Sequence, residues 1–95
     1  MRLIEPDWQI SGHIKAFFTC RAHGCSAVPF DSLNLANHVG DLDQSVEINR
    51  SLLGVPSEPK YVKQVHGVNC VPADRAGKEV EADASFTRKR NEVLA

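Results

Sequence analysis

The stretch D-L-D-Q-S-V-E-I-N-R-S-L-L-G, Asp41–Gly54, decides how this chain is read. Leu42, Val46, Asn49 and Leu53 share one stripe at helical spacing, and Ile48 and Leu52 widen it. Asp41 stands just before the first periodic residue with Gln44 three places on, the pattern of a capping box, while Gly54 and Pro56 supply a stop. The spacing predicts one main helix over residues 42–53. Glu47 and Arg50 read as solvated charges on its outer side.

Upstream, H-I-K-A-F-F-T, His13–Thr19, is rich in β-forming residues and leads into the loop chemistry of C-R-A-H-G-C-S-A-V-P-F-D. Ser32–Leu35 reads as a second short strand. Downstream, Lys60–Val65 alternates, Gly67 permits a tight turn or bulge, and Val68–Val71 is expected to pair back on it. Arg75–Glu81 reads as a polar connection, Ala82–Thr87 as a last strand and Arg88–Asn91 as a charged turn. One helix among mixed strands places the chain in the α+β class, or in a layered α/β arrangement.

The 95 residues suffice for one domain with a modest core. Eleven basic against twelve acidic residues give no electrostatic footprint for nucleic acid or an anionic membrane. The start of the chain lacks a signal-peptide core, so the expected location is cytoplasmic. Three cysteines without a secretory context, Cys20, Cys25 and Cys70, argue for reduced thiols.

His66, at a strand end with Gly67 behind it, is the sharpest chemical candidate. A neutral imidazole binds zinc, and one near its ordinary pKa exchanges protons at neutral pH. The bland alternative is a hydrogen-bonded structural histidine, and His38 admits the same alternative. Cys20, His23 and Cys25 have zinc-ligand chemistry in a spacing that lacks the usual tight pairs. Arg21 suits a phosphate or carboxylate, or a surface ion pair. Asn34 orients a ligand or satisfies a turn. Asp83, an acid between two alanines, is either paired or at the edge of a site.

P-F-D-S-L-N-L-A-N-H-V-G-D, V-E-I-N-R, K-Q-V-H-G and E-A-D-A-S, in this order and spacing, resemble the N-terminal part of the YfiH-type family. Its members carry the labels polyphenol oxidase, laccase-domain protein and purine nucleoside phosphorylase. The resemblance implies an α/β layered sandwich, zinc held by two histidines and a cysteine, and phosphorolysis of adenosine, inosine or guanosine, with adenosine deamination also attributed. It makes His66 the first zinc ligand and gives Arg21 an anion-holding role. Asn34, His38 and Asp83 fall on motif positions expected to line or brace the substrate cleft.

The chain departs from that pattern in two places. It reads T-C-R-A-H-G-C where the family has Thr-Arg-x-Gly-Gly, so His23 occupies the first glycine position, a costly exchange if the backbone needs a positive φ there. It also ends at Ala95, before the family's T-A-D-C and H-A-G-W-R-G motifs, which carry the other two metal ligands. The expectation is the N-terminal portion of one such domain, residues 1–95, inactive alone and able to self-associate through Val93–Ala95. The alternative is a non-catalytic partner module, with Cys20, His23, Cys25 and His66 closing a small structural zinc site.

Overall fold

The computed structural model describes residues 1–75 and 80–95, so most of the Arg75–Glu81 connection lies outside the described residues. The chain is α+β and divides into two compact units, Met1–Leu53 and Gly54–Ala95. Among the described residues no helix is long and apolar enough to cross a membrane.

In the first unit, β1 (Leu3–Ile4) pairs antiparallel with β2 (Phe18–Thr19), placing Leu3 opposite Thr19 and Ile4 opposite Phe18. The strand expected over His13–Thr19 keeps only its last β-forming pair. Its front half is spent on a turn, which Ile14 closes by donating its N–H to Ser11 O at 3.0 Å. The strand expected at Ser32–Leu35 does not form either. The N–H groups of Ser32 and Leu33 both donate to Arg21 O, at 2.9 and 2.7 Å, so that backbone is committed to folding the 21–33 loop upon itself.

Inside this loop His23 adopts φ +76, a left-handed conformation that costs a non-glycine residue about 1–3 kcal/mol. The departure from the glycine pattern at His23 thus falls on a position that does take a positive φ. Gly24 is needed for a different reason: a side chain there would run into the backbone of Ser32 and Leu33.

The helix α1 covers Asp43–Ser51, inside the expected 42–53. Its N-cap is Leu42, which has an extended backbone and makes no side-chain capping bond. Asp41 therefore does not form the expected capping box, because its carboxylate is taken up elsewhere. At the other end Leu52 and Leu53 donate to Asn49 O and Arg50 O, and Gly54, φ +63, turns the chain away. The buried stripe is narrower than the periodicity suggests. Val46 and Asn49 are 1% and 0% exposed, whereas Ile48 and Leu52 are 44% and 47% exposed. Arg50 is more than a solvated charge, since its Nε donates to Leu35 O at 2.9 Å.

In the second unit, Lys60–Val65 forms no continuous strand. Lys60 makes a parallel bridge with Leu94, and Lys63 makes one with Glu81. Nor does the chain return as a hairpin after Gly67. Instead β3 (Cys70–Pro72) pairs in parallel with β4 (Ala84–Phe86), bringing Cys70 opposite Ala84 and Pro72 opposite Phe86. The reason lies at Asn69, whose carbonyl accepts from both Asp83 N and Ala84 N, at 3.1 and 3.3 Å, and so directs the chain toward 83–86. A 3-10 turn, Ala73–Arg75, follows β3, and among the described residues of this unit Ala73 and Ala82 are the buried apolar ones. The charged turn at Arg88–Asn91 is present, with Asn91 at φ +59 and Lys89 N–H donating to Thr87 Oγ1.

Candidate functional site

His66 sits exposed at the apex of residues 65–67 and takes φ +57 itself. The backbone on both sides of its ring is held by one side chain. Asp83 Oδ1 accepts the N–H groups of Val65 and His66, at 3.0 and 2.8 Å, and Oδ2 accepts that of Gly67 at 2.7 Å. These bonds, led by the one from Gly67, hold the Asp83 carboxyl below its ordinary pKa; the bonds from Val65 and His66 and the nearby imidazole act in the same direction, against a partial desolvation. Of the alternatives open for Asp83, pairing is realised, though with backbone N–H groups rather than an arginine.

In the first unit the polar centre is Asn49, fully buried on α1. Its Oδ1 accepts from Cys25 N at 2.8 Å, and its Nδ2 donates to Ser26 Oγ, Ser32 O and Asn34 O at 2.9, 3.2 and 2.8 Å. Ser26 Oγ in turn donates to Asp41 Oδ2, which also accepts from Asn34 Nδ2 at 3.1 Å. Asp41 Oδ1 accepts from Leu42 N at 2.8 Å, and this is why no capping oxygen remains for the helix. Hydrogen bonds from Ser26, then Asn34, then Leu42 hold the Asp41 carboxyl below its ordinary pKa, with desolvation opposing.

A lowered folded pKa stabilises above the unfolded value of about 3.8, and that contribution is lost as pH falls through the folded pKa. The stability advantage of the parent chain over Asp41→Asn is therefore expected to be full at pH 6 and to shrink below about pH 4. Denaturant unfolding of both chains across this range measures it, and a constant difference would contradict the assignment.

Arg21 lines an open cleft of about 250 Å³ together with Pro29, Phe30, Asp31, Leu33 and Asn34. Its Nε donates to Asp31 O at 2.9 Å and its Nη2 lies 3.2 Å from Asp31 Oδ1. This ion pair is exposed on both sides and worth about 0–1 kcal/mol, so an incoming anion competes with a weak partner. Asn34 shares the cleft, but its side-chain amide is engaged, accepting from Ala36 N and donating to Ala36 O and Asp41. His38 is exposed on the loop before α1. Arg21, Asn34 and His38 thus belong to the first unit, and His66 and Asp83 to the second. The Asn49–Ser26–Asp41 network went unread in the sequence; its one signal was a polar residue on the apolar stripe of the helix.

Among the described residues no three His, Cys, Asp or Glu side chains come together in a metal-holding group. Cys20, His23, Cys25 and His66, considered for the small tetrahedral site of the partner-module alternative, form no such group among the described residues. Of the three zinc ligands that the resemblance implies, the motif positions within the described residues hold one, the exposed His66. One exposed imidazole is a ligand and not a site.

Residues 15–95 match the family described as multi-copper polyphenol oxidoreductase laccase. The chain belongs to this family. It is 38% identical over 97 residues to a purine nucleoside phosphorylase of Haemophilus influenzae, covering 98% of this chain and 40% of that protein. It is 43% identical over 86 residues to a purine nucleoside phosphorylase of Pseudomonas aeruginosa, 88% of this chain and 35% of the relative. With the purine nucleoside phosphorylase YfiH of Escherichia coli the identity is 35% over 99 residues, 99% of this chain and 41% of the relative. A crystal structure of a Neisseria meningitidis protein of the DUF152 group superposes with a TM-score of 0.83 at 31% identity, over 97% of this chain and 39% of that one. The fold is that of the YfiH-type family, and the chain spans about 40% of the length of the relatives it matches.

Proposed function

We propose that the chain is the N-terminal part of a purine nucleoside phosphorylase-like enzyme, acting in the cytoplasm on a purine nucleoside and phosphate. The observation that carries this reading is the run of relatives, 35–43% identical and each named a purine nucleoside phosphorylase, that match this chain over most of its length. Adenosine, inosine and guanosine are the substrates, with adenosine deamination as a further activity. In the complete protein His66 is one of three zinc ligands, and the other two come from residues outside these 95.

Arg21 supports the same reading. Its guanidinium borders an open cleft and is held by Asp31 alone, through that residue's carbonyl oxygen and its exposed carboxylate, which suits a phosphate that must bind and leave. Asn34 and His38 line or brace the substrate cleft. The chain alone is inactive, because one ligand does not assemble a metal site.

The test is a graft in which this chain replaces the matching part of the Haemophilus influenzae relative. Phosphate-dependent cleavage of inosine or adenosine by the graft, with none by the 95-residue chain, is the expected outcome. A folded graft without turnover, or turnover by the chain alone at the relative's rate, would overturn the proposal.

A further inference from the structure

We infer that Asp83 is the positioning residue for His66: it clamps the backbone of residues 65–67 and thereby holds the imidazole-bearing residue in its left-handed conformation. The inference deepens the proposed function and rests on that reading only in giving His66 a ligand's role.

Four observations converge on the clamp. Both carboxylate oxygens of Asp83 are consumed by three consecutive backbone N–H groups at 2.7–3.0 Å, an arrangement that leaves it poorly placed to bind a substrate hydroxyl or base. His66 at the middle of the three has φ +57, which a non-glycine residue keeps only when its surroundings impose it. Gly67 eases the approach, because a Cβ there would lie 3.2 Å from Asp83 Oδ2, and the carboxylate would have to give by a few tenths of an ångström. Finally, Asp83 is itself fixed by donating its backbone N–H to Asn69 O at 3.1 Å, where β4 begins beside β3.

The turn is thereby strapped from both directions. The Asp83 side chain reaches back to residues 65–67, while the Asp83 backbone is anchored just beyond the turn. With the three N–H groups satisfied, His66 stands on an exposed turn. Gly67 thus leaves the carboxylate of Asp83 at its distance without crowding.

Proton NMR of the 95-residue chain tests the clamp without metal or nucleoside. A positive φ brings a residue's own amide and α protons close, so His66 is expected to show a strong intraresidue cross-relaxation peak and slow amide exchange at residues 65–67. Asp83→Ala is expected to abolish that peak and speed those exchanges at least tenfold, while the β3–β4 cross-peaks persist. Asp83→Asn, which keeps one acceptor oxygen, is expected to fall between.

Persistence of the strong His66 peak in Asp83→Ala would overturn the inference. So would loss of the β3–β4 cross-peaks in both variants, since Asp83 would then be a general prop of the fold. Failure of the inosine graft leaves this readout untouched, so the two ideas fall separately.

Discussion

Gly24→Ala is expected to destabilise the first unit by about 3 kcal/mol, the upper range for forcing atoms into a filled space. The added methyl would collide with Ser32 O and lie 2.5 Å from both Leu33 Cα and Ser32 C. All of these are backbone atoms, so no side chain can swing aside. The backbone that must move also carries the bonds from Ser26 N and Asn49 Nδ2 to Ser32 O, and it positions the Ser32 hydroxyl that accepts Gly24 N–H at 3.0 Å. For a chain of this size the cost corresponds to a melting temperature lowered by more than about 10 °C. Melting followed by circular dichroism reads it, and a shift within about 2 °C would mean that the loop does not pack as described.

Asn49→Ala is expected to cost about 2–4 kcal/mol, because it leaves Cys25 N–H and Asn34 O without their partner, removes one of the two bonds to Ser32 O and opens a cavity as well. The informative control is Ile48→Ala on the same helix. Ile48 is 44% exposed, and its truncation is expected to cost well under half as much. A helix held by its apolar stripe alone would give the opposite order. Denaturant midpoints of the two variants decide between these accounts, and a larger loss from Ile48→Ala would refute the network.

These two residues mark where the sequence was legible and where it was not. The helix and its stop at Gly54 follow from spacing and composition, since periodicity and glycine act within a few residues of chain. The substitution of histidine for an expected glycine at position 23 was readable too, and φ +76 lies at that position. What stayed hidden depends on partners far along the chain. Asn49 sits on the stripe as any helical residue would, but its amide is fixed by residues 15–24 positions away. Asp41 has the identity and place of a cap, yet the competing hydroxyl of Ser26 and amide of Asn34 take its second oxygen.

The candidate site divides in the same way. The Q-V-H-G block singled out His66 through family resemblance, and Asp83 through E-A-D-A-S. That the second holds the first by its backbone could not be read, because an acid between two alanines carries no mark of three N–H groups 16–18 residues earlier. The hairpin expected after Gly67 failed for a related reason. Alternation near the turn favours local pairing, whereas Asn69 O is claimed by Asp83 and Ala84, which makes the parallel partner β4 the one that forms.

The central proposal, that His66 of this chain is a metal ligand in a purine nucleoside phosphorylase-like enzyme, is tested most directly by the graft onto the Haemophilus influenzae relative. The measurement is phosphate-dependent release of hypoxanthine from inosine by the graft and by the graft carrying His66→Ala. Turnover by the first, with kcat/KM lower by about 100-fold or more in the second while the metal-free forms of both melt at the same temperature, is the result expected for loss of a metal-holding side chain. Equal turnover by both would contradict it, and would return His66 to being an exposed histidine on a well-made turn.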